Sequence, residues 1–472
     1  MAHRQLFSRR QFLKFSAVTG ATMALAACAP SAPAPAAGGE AGGAAAETVK
    51  LQYQSREPEN AAGVKEMWDL WYEGFREVNP TIEVEWVPDA GGNARESALA
   101  AMVAGNASDL IEWCCTDSGF FVQNGQAMNL QPFIDRDAEE VNIEDYYERQ
   151  FDAWTKDGNI HMMPRFTGTQ VIFYNKDWFD RVGEPYPSAE WGSWTWEDFQ
   201  RIGDKFVGEN PQTWATSNYH MAADWVTMYW LRGWGAHMVD PNDNTHCPMD
   251  EPEAQECLEW LRAQTWDRKQ YVVGNSALSG GVGVESLFTS ERIAMMEMGP
   301  WNLNVVMDAA QFRWDVAPMV NGPAGTTTHQ SVDGTMVWTD TPNPEESWTL
   351  LKGTSSPEYG ILYAQYANKQ PSRKSILNEF PRLLREQNEK YNEISLEVFT
   401  DSLAQDIGGT EEFFKYDAAT KDQIIKPAME KLILLGEATS DYVGKHAEVA
   451  TRFNRDEIPP EQLGAELAKI TQ

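Results

Sequence analysis

From Val49 the chain alternates apolar and polar side chains through Val49-Lys50-Leu51-Gln52-Tyr53, the period of a half-buried strand. Val64, Met67, Trp68, Trp71, Phe75 and Val78 then recur at three- and four-residue spacing, which predicts an amphipathic helix stopped by Asn79-Pro80. Alternation resumes at Ile82, Val84 and Trp86, a second helix is predicted over 94–104, and 109–113 (DLIEW) reads as a third strand. Strand, helix, strand, helix, strand is the order of an α/β sheet. Further on, Tyr174-Asn175-Lys176 reads as a strand exit into a helix, and Thr195 and Asp198 have the spacing of a capping box.

Upstream of the first strand the pattern changes. The apolar run from Phe15 to Ala27 has 13 residues, too few for a bilayer core that takes about 20. With Arg4, Arg9, Arg10 and Lys14 before it and small residues after it, the stretch reads as an export signal. Residues 8–14 (SRRQFLK) resemble the twin-arginine export motif, with Arg9 and Arg10 as the pair. Leu25-Ala26-Ala27-Cys28 resembles a lipobox, which implies acylation of Cys28 as the first residue of the mature chain. Residues 29–47 are almost entirely Ala, Gly, Pro and Ser, a flexible tether with nothing to bury. No other stretch approaches 18 consecutive apolar residues, so the lipid is the expected attachment to the membrane.

About 425 residues follow the tether, more than one core usually takes, so two domains are expected. The chain carries a formal net charge of −32, and the signal segment holds bases but no acid, so the remainder is more acidic still. That excludes a nucleic-acid partner and docking of the protein surface on anionic lipid. Outside the lipobox, Cys114, Cys115, Cys247 and Cys257 show no zinc spacing; Cys247 and Cys257 are compatible with a bridge or with buried thiols. The seven histidines lie at no helical spacing to one another, so no metal site is expected. Asp240 to Glu251 imitates a calcium loop, but Thr245 stands where that loop needs glycine and Pro248 intrudes.

Several ordered stretches resemble the extracellular sugar-type solute-binding proteins of ABC importers, the maltose-binding-protein type. These are 75–84 (FREVNPTIEV), 102–110 (MVAGNASDL), 171–180 (VIFYNKDWFD) and 194–199 (WTWEDF), then 287–296 (LFTSERIAMM) running to Gly299-Pro300-Trp301, and 345–348 (EESW) running to Ser356-Pro357-Glu358. The resemblance spans 49–375 and implies a two-domain periplasmic-binding-protein-like α/β fold of type II, with discontinuous domains joined by hinge strands. The expected lobes are 48–164 with 335–383, and 165–334 with 384–472, crossing near Pro164, near Gly334 and within 376–390.

In open α/β sheets ligands bind beyond the carboxyl ends of strands, which points to Arg56 and Glu57 after the first strand and to Trp113 and Asp117 after the third. Sugars pair flat C–H faces with hydroxyl rims, so aromatic faces beside short polar groups are the sites to seek among 19 tryptophans. Trp301 resembles the family position whose indole stacks on a sugar ring; Trp113 and Asp117 resemble ligand-contacting loop positions, and Arg373 a cleft-facing arginine. Thr167, Tyr219 and Trp225 complete the candidate set.

No P-loop, G-x-S-x-G elbow or H-E-x-x-H occurs, and Gly281-Val282-Gly283 lacks the third glycine of a dinucleotide loop. A carboxylate pair of a glycoside hydrolase has no sequence signature, so the resemblance decides for a binding protein without catalytic residues or cofactor. The expectation is a monomeric, lipid-anchored extracytoplasmic receptor that passes a mono- or oligosaccharide to an ABC permease with a separate ATPase. The alternative is the same fold taking a glycerol phosphodiester or a peptide.

Overall fold

A computed structural model describes residues 47–470 other than 62, 90–93, 208–212, 219–224, 275 and 278. The predicted alternation is there: β1 (Val49–Gln54), α1 (Val64–Val78), β2 (Ile82–Val87), α2 (Ala94–Val103) and β3 (Leu110–Cys114), with α3 (Cys115–Gln123) following at once. Val64, Met67, Trp68, Trp71 and Phe75 form the buried stripe of α1, whereas Val78, in its last turn, is exposed. The box at Thr195 is also present: its hydroxyl accepts from the Asp198 N–H, and Asp198 returns the bond to the Thr195 backbone.

Nine further strands are paired among the described residues, seven of them in two five-stranded sheets with β1 to β3: β4 (Met162–Thr169), β5 (Val171–Asn175), β6 (Trp214–Asn218), β7 (Tyr271–Val273), β8 (Ile293–Met298), β9 (Trp314–Ala317) and β10 (Gln330–Val337). The first sheet has the order β2-β1-β3-β10-β4, with β1 parallel to β2 and β3, and β10 antiparallel to β3 and β4. The second has the order β9-β5-β8-β6-β7. Both faces of each are covered, as sheets with parallel strands require. Leu51 and Tyr53 face one core, Ile111 and Trp113 another, while Ile172 and Tyr174 alternate with Val171 and Phe173 between two cores of the second sheet.

The chain changes sheet at Gln170, between β4 and β5, and again between β9 and β10. This corrects the expected crossings: Pro164 and Gly334 lie inside β4 and β10, so 165–169 and 330–334 pair in the first sheet rather than belonging to the second lobe. The reason is local. Both strands are buried along their whole length, and a crossing placed within either would break its ladder. A third passage lies between Ala367, in a first-sheet core, and Phe380, in a second-sheet core. Cys247 and Cys257 are buried and unbridged.

The core of the second half contains an acid. Glu297 in β8 is fully buried and accepts hydrogen bonds from the Tyr271 hydroxyl and, at 3.2 Å, from the Trp230 indole. Burial pushes its carboxyl up to about 8, against the pull of those two donors. The folded chain therefore holds this proton while the unfolded chain releases it, and the resulting stability is lost as pH rises from the ordinary carboxyl range to about 8. Glu297→Gln is expected to remove a slope of about 1.4 kcal/mol per pH unit over that window. Urea denaturation of both proteins at pH 5 and pH 8 measures it.

Candidate solute site

The site is built on the carboxyl end of β1. Glu112, from β3, is 4% exposed and accepts from the Tyr53 hydroxyl at 2.5 Å, the Ser55 hydroxyl at 3.2 Å and the Arg56 backbone N–H at 2.8 Å. One carboxylate thus fixes the loop that follows the strand. Arg165 of β4, equally buried, pairs with Glu112 at 3.2 Å and lies over the Tyr363 ring at 4.6 Å.

On this base the loop presents two charges, each matched. Arg56 donates to Asp333 at 2.8 Å and keeps 42% of its side chain exposed. Glu57 pairs with Lys369 at 2.9 Å. Burial opposes the charge on Glu57, but Lys369, with Arg165 and Arg56 behind it, outweighs burial and holds the carboxyl below its usual range. The Lys369 ammonium lies 5.5 Å over the Phe166 ring, and Phe166 meets Trp301 edge to face at 6.4 Å.

Trp301 follows β8 in a short turn, Pro300–Asn302, and packs against cores of both sheets while remaining half-buried. Its seat is made by absent side chains: a Cβ on Gly168 would lie 2.6 Å from the indole, and one on Gly299 2.1 Å from it. The wide aromatic surface therefore lies against backbone and beside Phe166, the ring over which the Lys369 ammonium lies.

Of the residues predicted from sequence, the structure brings together Arg56, Glu57 and Trp301. Trp113 is not with them: it is 6% exposed and stacks on Phe121 at 4.3 Å within a first-sheet core, so its face is spent on packing. Thr167 is fully buried, and its hydroxyl accepts from Gln150 at 2.6 Å. Arg373 is buried as well: it donates to the Ser355 and Val141 carbonyls at 2.8 and 3.0 Å, pairs with Asp145 at 3.2 Å and lies 4.3 Å over Tyr146. It fastens the third passage between sheets and does not face a cleft. Asp117 lies in the first turn of α3 and Trp225 opens the helix Trp225–Gly233; the side chains of both, and Tyr219 entirely, lie outside the described residues. Asp240 and Asp243, the calcium-like acids, accept from the Asn242 N–H and from Thr245 on their own loop, and Asp243 also pairs with Arg455 at 3.1 Å.

Sequence reasoning missed Lys369, Phe166, Gly168 and the Arg165–Glu112 pair. Arg165 carried a signal, since a charge inside the apolar run of β4 demands a buried partner. Lys369 carried none, because its partner is over three hundred positions away.

Residues 57–361 match the family model of bacterial extracellular solute-binding proteins. The chain belongs to that family. A second model, the twin-arginine translocation signal, matches residues 6–26 of this solute-binding protein, including Arg9 and Arg10. Among curated relatives it is 20% identical over 273 residues to the maltodextrin-binding protein MdxE of Bacillus subtilis, covering 56% of this chain and 57% of that one, so it spans little more than half of that relative's length. Its fold is that of the ABC substrate-binding protein Lmo0181 of Listeria monocytogenes, solved with cycloalternan, with a TM-score of 0.73 at 22% identity over 87% of this chain and all of the other. UgpB of Mycobacterium tuberculosis, solved with glycerophosphocholine, has the same fold, with a TM-score of 0.71 at 16% identity over 87% of this chain and 99% of that one. This solute-binding protein is therefore a two-domain binding protein of the type the sequence resembled, exported by the twin-arginine route.

Proposed function

We propose that the protein captures a neutral carbohydrate, a mono- or oligosaccharide, in the cleft between its two domains and delivers it to an ABC permease. The observation that carries this reading is the matched charge at the site. Arg56, Lys369 and Arg165 stand opposite Asp333, Glu57 and Glu112, so each of these three cations is matched, and the half-buried Trp301 indole meets Phe166, the ring under the Lys369 ammonium. A phosphodiester needs cations free to pair with it. Hydroxyls need donors and acceptors side by side, which is what a carboxylate–ammonium pair offers. The sugar-binding relatives favour the same reading; UgpB favours the phosphodiester alternative.

The chain is read as held on the extracytoplasmic face by acylated Cys28, with the Ala/Gly/Pro segment as tether, acting as a monomer without catalysis or cofactor. Titration of tryptophan fluorescence with monosaccharides, maltotriose and glycerophosphocholine, with product analysis alongside, tests the ligand class. A saturable response to a sugar that is recovered intact supports it. Consumption of the sugar would restore the enzyme reading, and a response confined to glycerophosphocholine would move the ligand to the alternative.

A further inference from the structure

Gly119 sits inside α3, where glycine costs a helix about 1 kcal/mol relative to alanine. Its backbone φ is not in the left-handed region, so conformational freedom is not what glycine supplies there. Close approach is. A Cβ at this position would lie 2.6 Å from the Phe413 ring.

The two residues belong to different halves of the molecule. Phe121 and Val122 of α3 pack with Met162 and Met336 of the first sheet. Phe414, Ile424 and Ile425, beside and beyond Phe413, pack with Tyr174, Ala215 and Met295 of the second. On its own side Phe413 is backed by Lys421, whose ammonium lies 4.8 Å over the ring and donates to the Glu412 carbonyl at 2.7 Å. The residue after Lys421, Asp422, meets Arg95 of α2 at 3.6 Å, a second contact between the same halves. Next to Phe413 the halves part around a groove of about 1420 Å³, whose walls come from 143–160 on one side and 232–244 on the other. Contact resumes at Arg149, which pairs with Asp406 at 3.0 Å.

We propose that the Phe413 ring seated on Gly119, with the Arg95–Asp422 pair beside it, is a latch that holds the two halves closed and sets solute affinity without touching the solute. Apparent affinity is the intrinsic affinity of the closed form scaled by the fraction of molecules closed, so weakening the latch weakens binding of any solute. These are positioning residues, and the inference holds whether the solute is a sugar or not.

The test is small-angle X-ray scattering of the purified, solute-free protein and of three variants: Gly119→Ala, Phe413→Ala and Arg95→Glu. Each variant is expected to show a larger radius of gyration than the parent, and Asp422→Arg combined with Arg95→Glu to restore the parent value. Gly119→Ala separates a latch from a fold defect, because alanine favours the helix while its Cβ pushes the ring away. Affinity for maltotriose as probe is expected to fall roughly tenfold in Phe413→Ala. Identical scattering of parent and Phe413→Ala overturns the proposal, whether or not maltotriose binds.

Discussion

Trp301→Ala is expected to weaken carbohydrate binding by roughly 30- to 150-fold, or about 2–3 kcal/mol, the scale of losing a buried aromatic anchor. The size follows from how the indole is seated. Gly168 and Gly299 leave the ring lying on backbone, so alanine would leave a gap that no neighbouring side chain fills. The lost indole is also a wide, half-buried aromatic surface that packs against cores of both sheets. Trp301→Phe separates stacking from packing: it keeps a flat face and should retain most of the binding while losing some stability. Calorimetric titration of both variants with whichever sugar the parent binds measures the two losses. Equal affinity in parent and Trp301→Ala would remove the indole from the site.

The contrast between Trp301 and Trp113 shows what the sequence could say and what it could not. Trp301 follows a buried strand and Trp113 lies near the end of one, and both read as candidates for a sugar face. What separates them is distant in the chain: Trp301 lies against Gly168, and Trp113 lies against Phe121 with Met162, Val332 and Met336 around it. Periodicity reported the elements well where one face is buried, as in β1 and α1. The sheet crossings were misplaced because β4 and β10 are buried along their whole length, polar residues included, so neither shows a solvent face that would mark where one sheet hands over to the next. Charge partners were the least legible feature. Arg56 and Asp333 come together only when β10 pairs with β3, and Glu57 and Lys369 only when the third passage has folded back beside β4. Arg373 looked like a solvated or cleft-facing arginine because its acceptors, the Ser355 and Val141 carbonyls, belong to backbone that sequence does not display.

Arg165→Met is expected to destabilise the protein by about 3–5 kcal/mol, because removing one partner of a buried ion pair strands the other. Arg165 and Glu112 side chains are 1% and 2% exposed, so water cannot take the place of the guanidinium. Glu112 would keep its bonds from Tyr53, Ser55 and the Arg56 N–H, which limits the loss and keeps the loop after β1 in place. The urea midpoint should fall with an unchanged m-value, since the same surface is exposed on unfolding. The Arg165 Nε–H finds no acceptor among the described residues, so the pair is an imperfectly satisfied one. Arg165→Met with Glu112→Gln should therefore recover much of the stability lost by Arg165→Met alone, because no buried charge is then left without its counterpart. Binding should respond in the opposite order. Glu112→Gln exchanges an acceptor of three hydrogen bonds for an amide with one acceptor oxygen, so it loosens Ser55 and Arg56 and costs affinity as well as stability. A stability-neutral Arg165→Met would mean that the pair contributes only position, and that the loop after β1 is held by its hydrogen bonds to Glu112 alone.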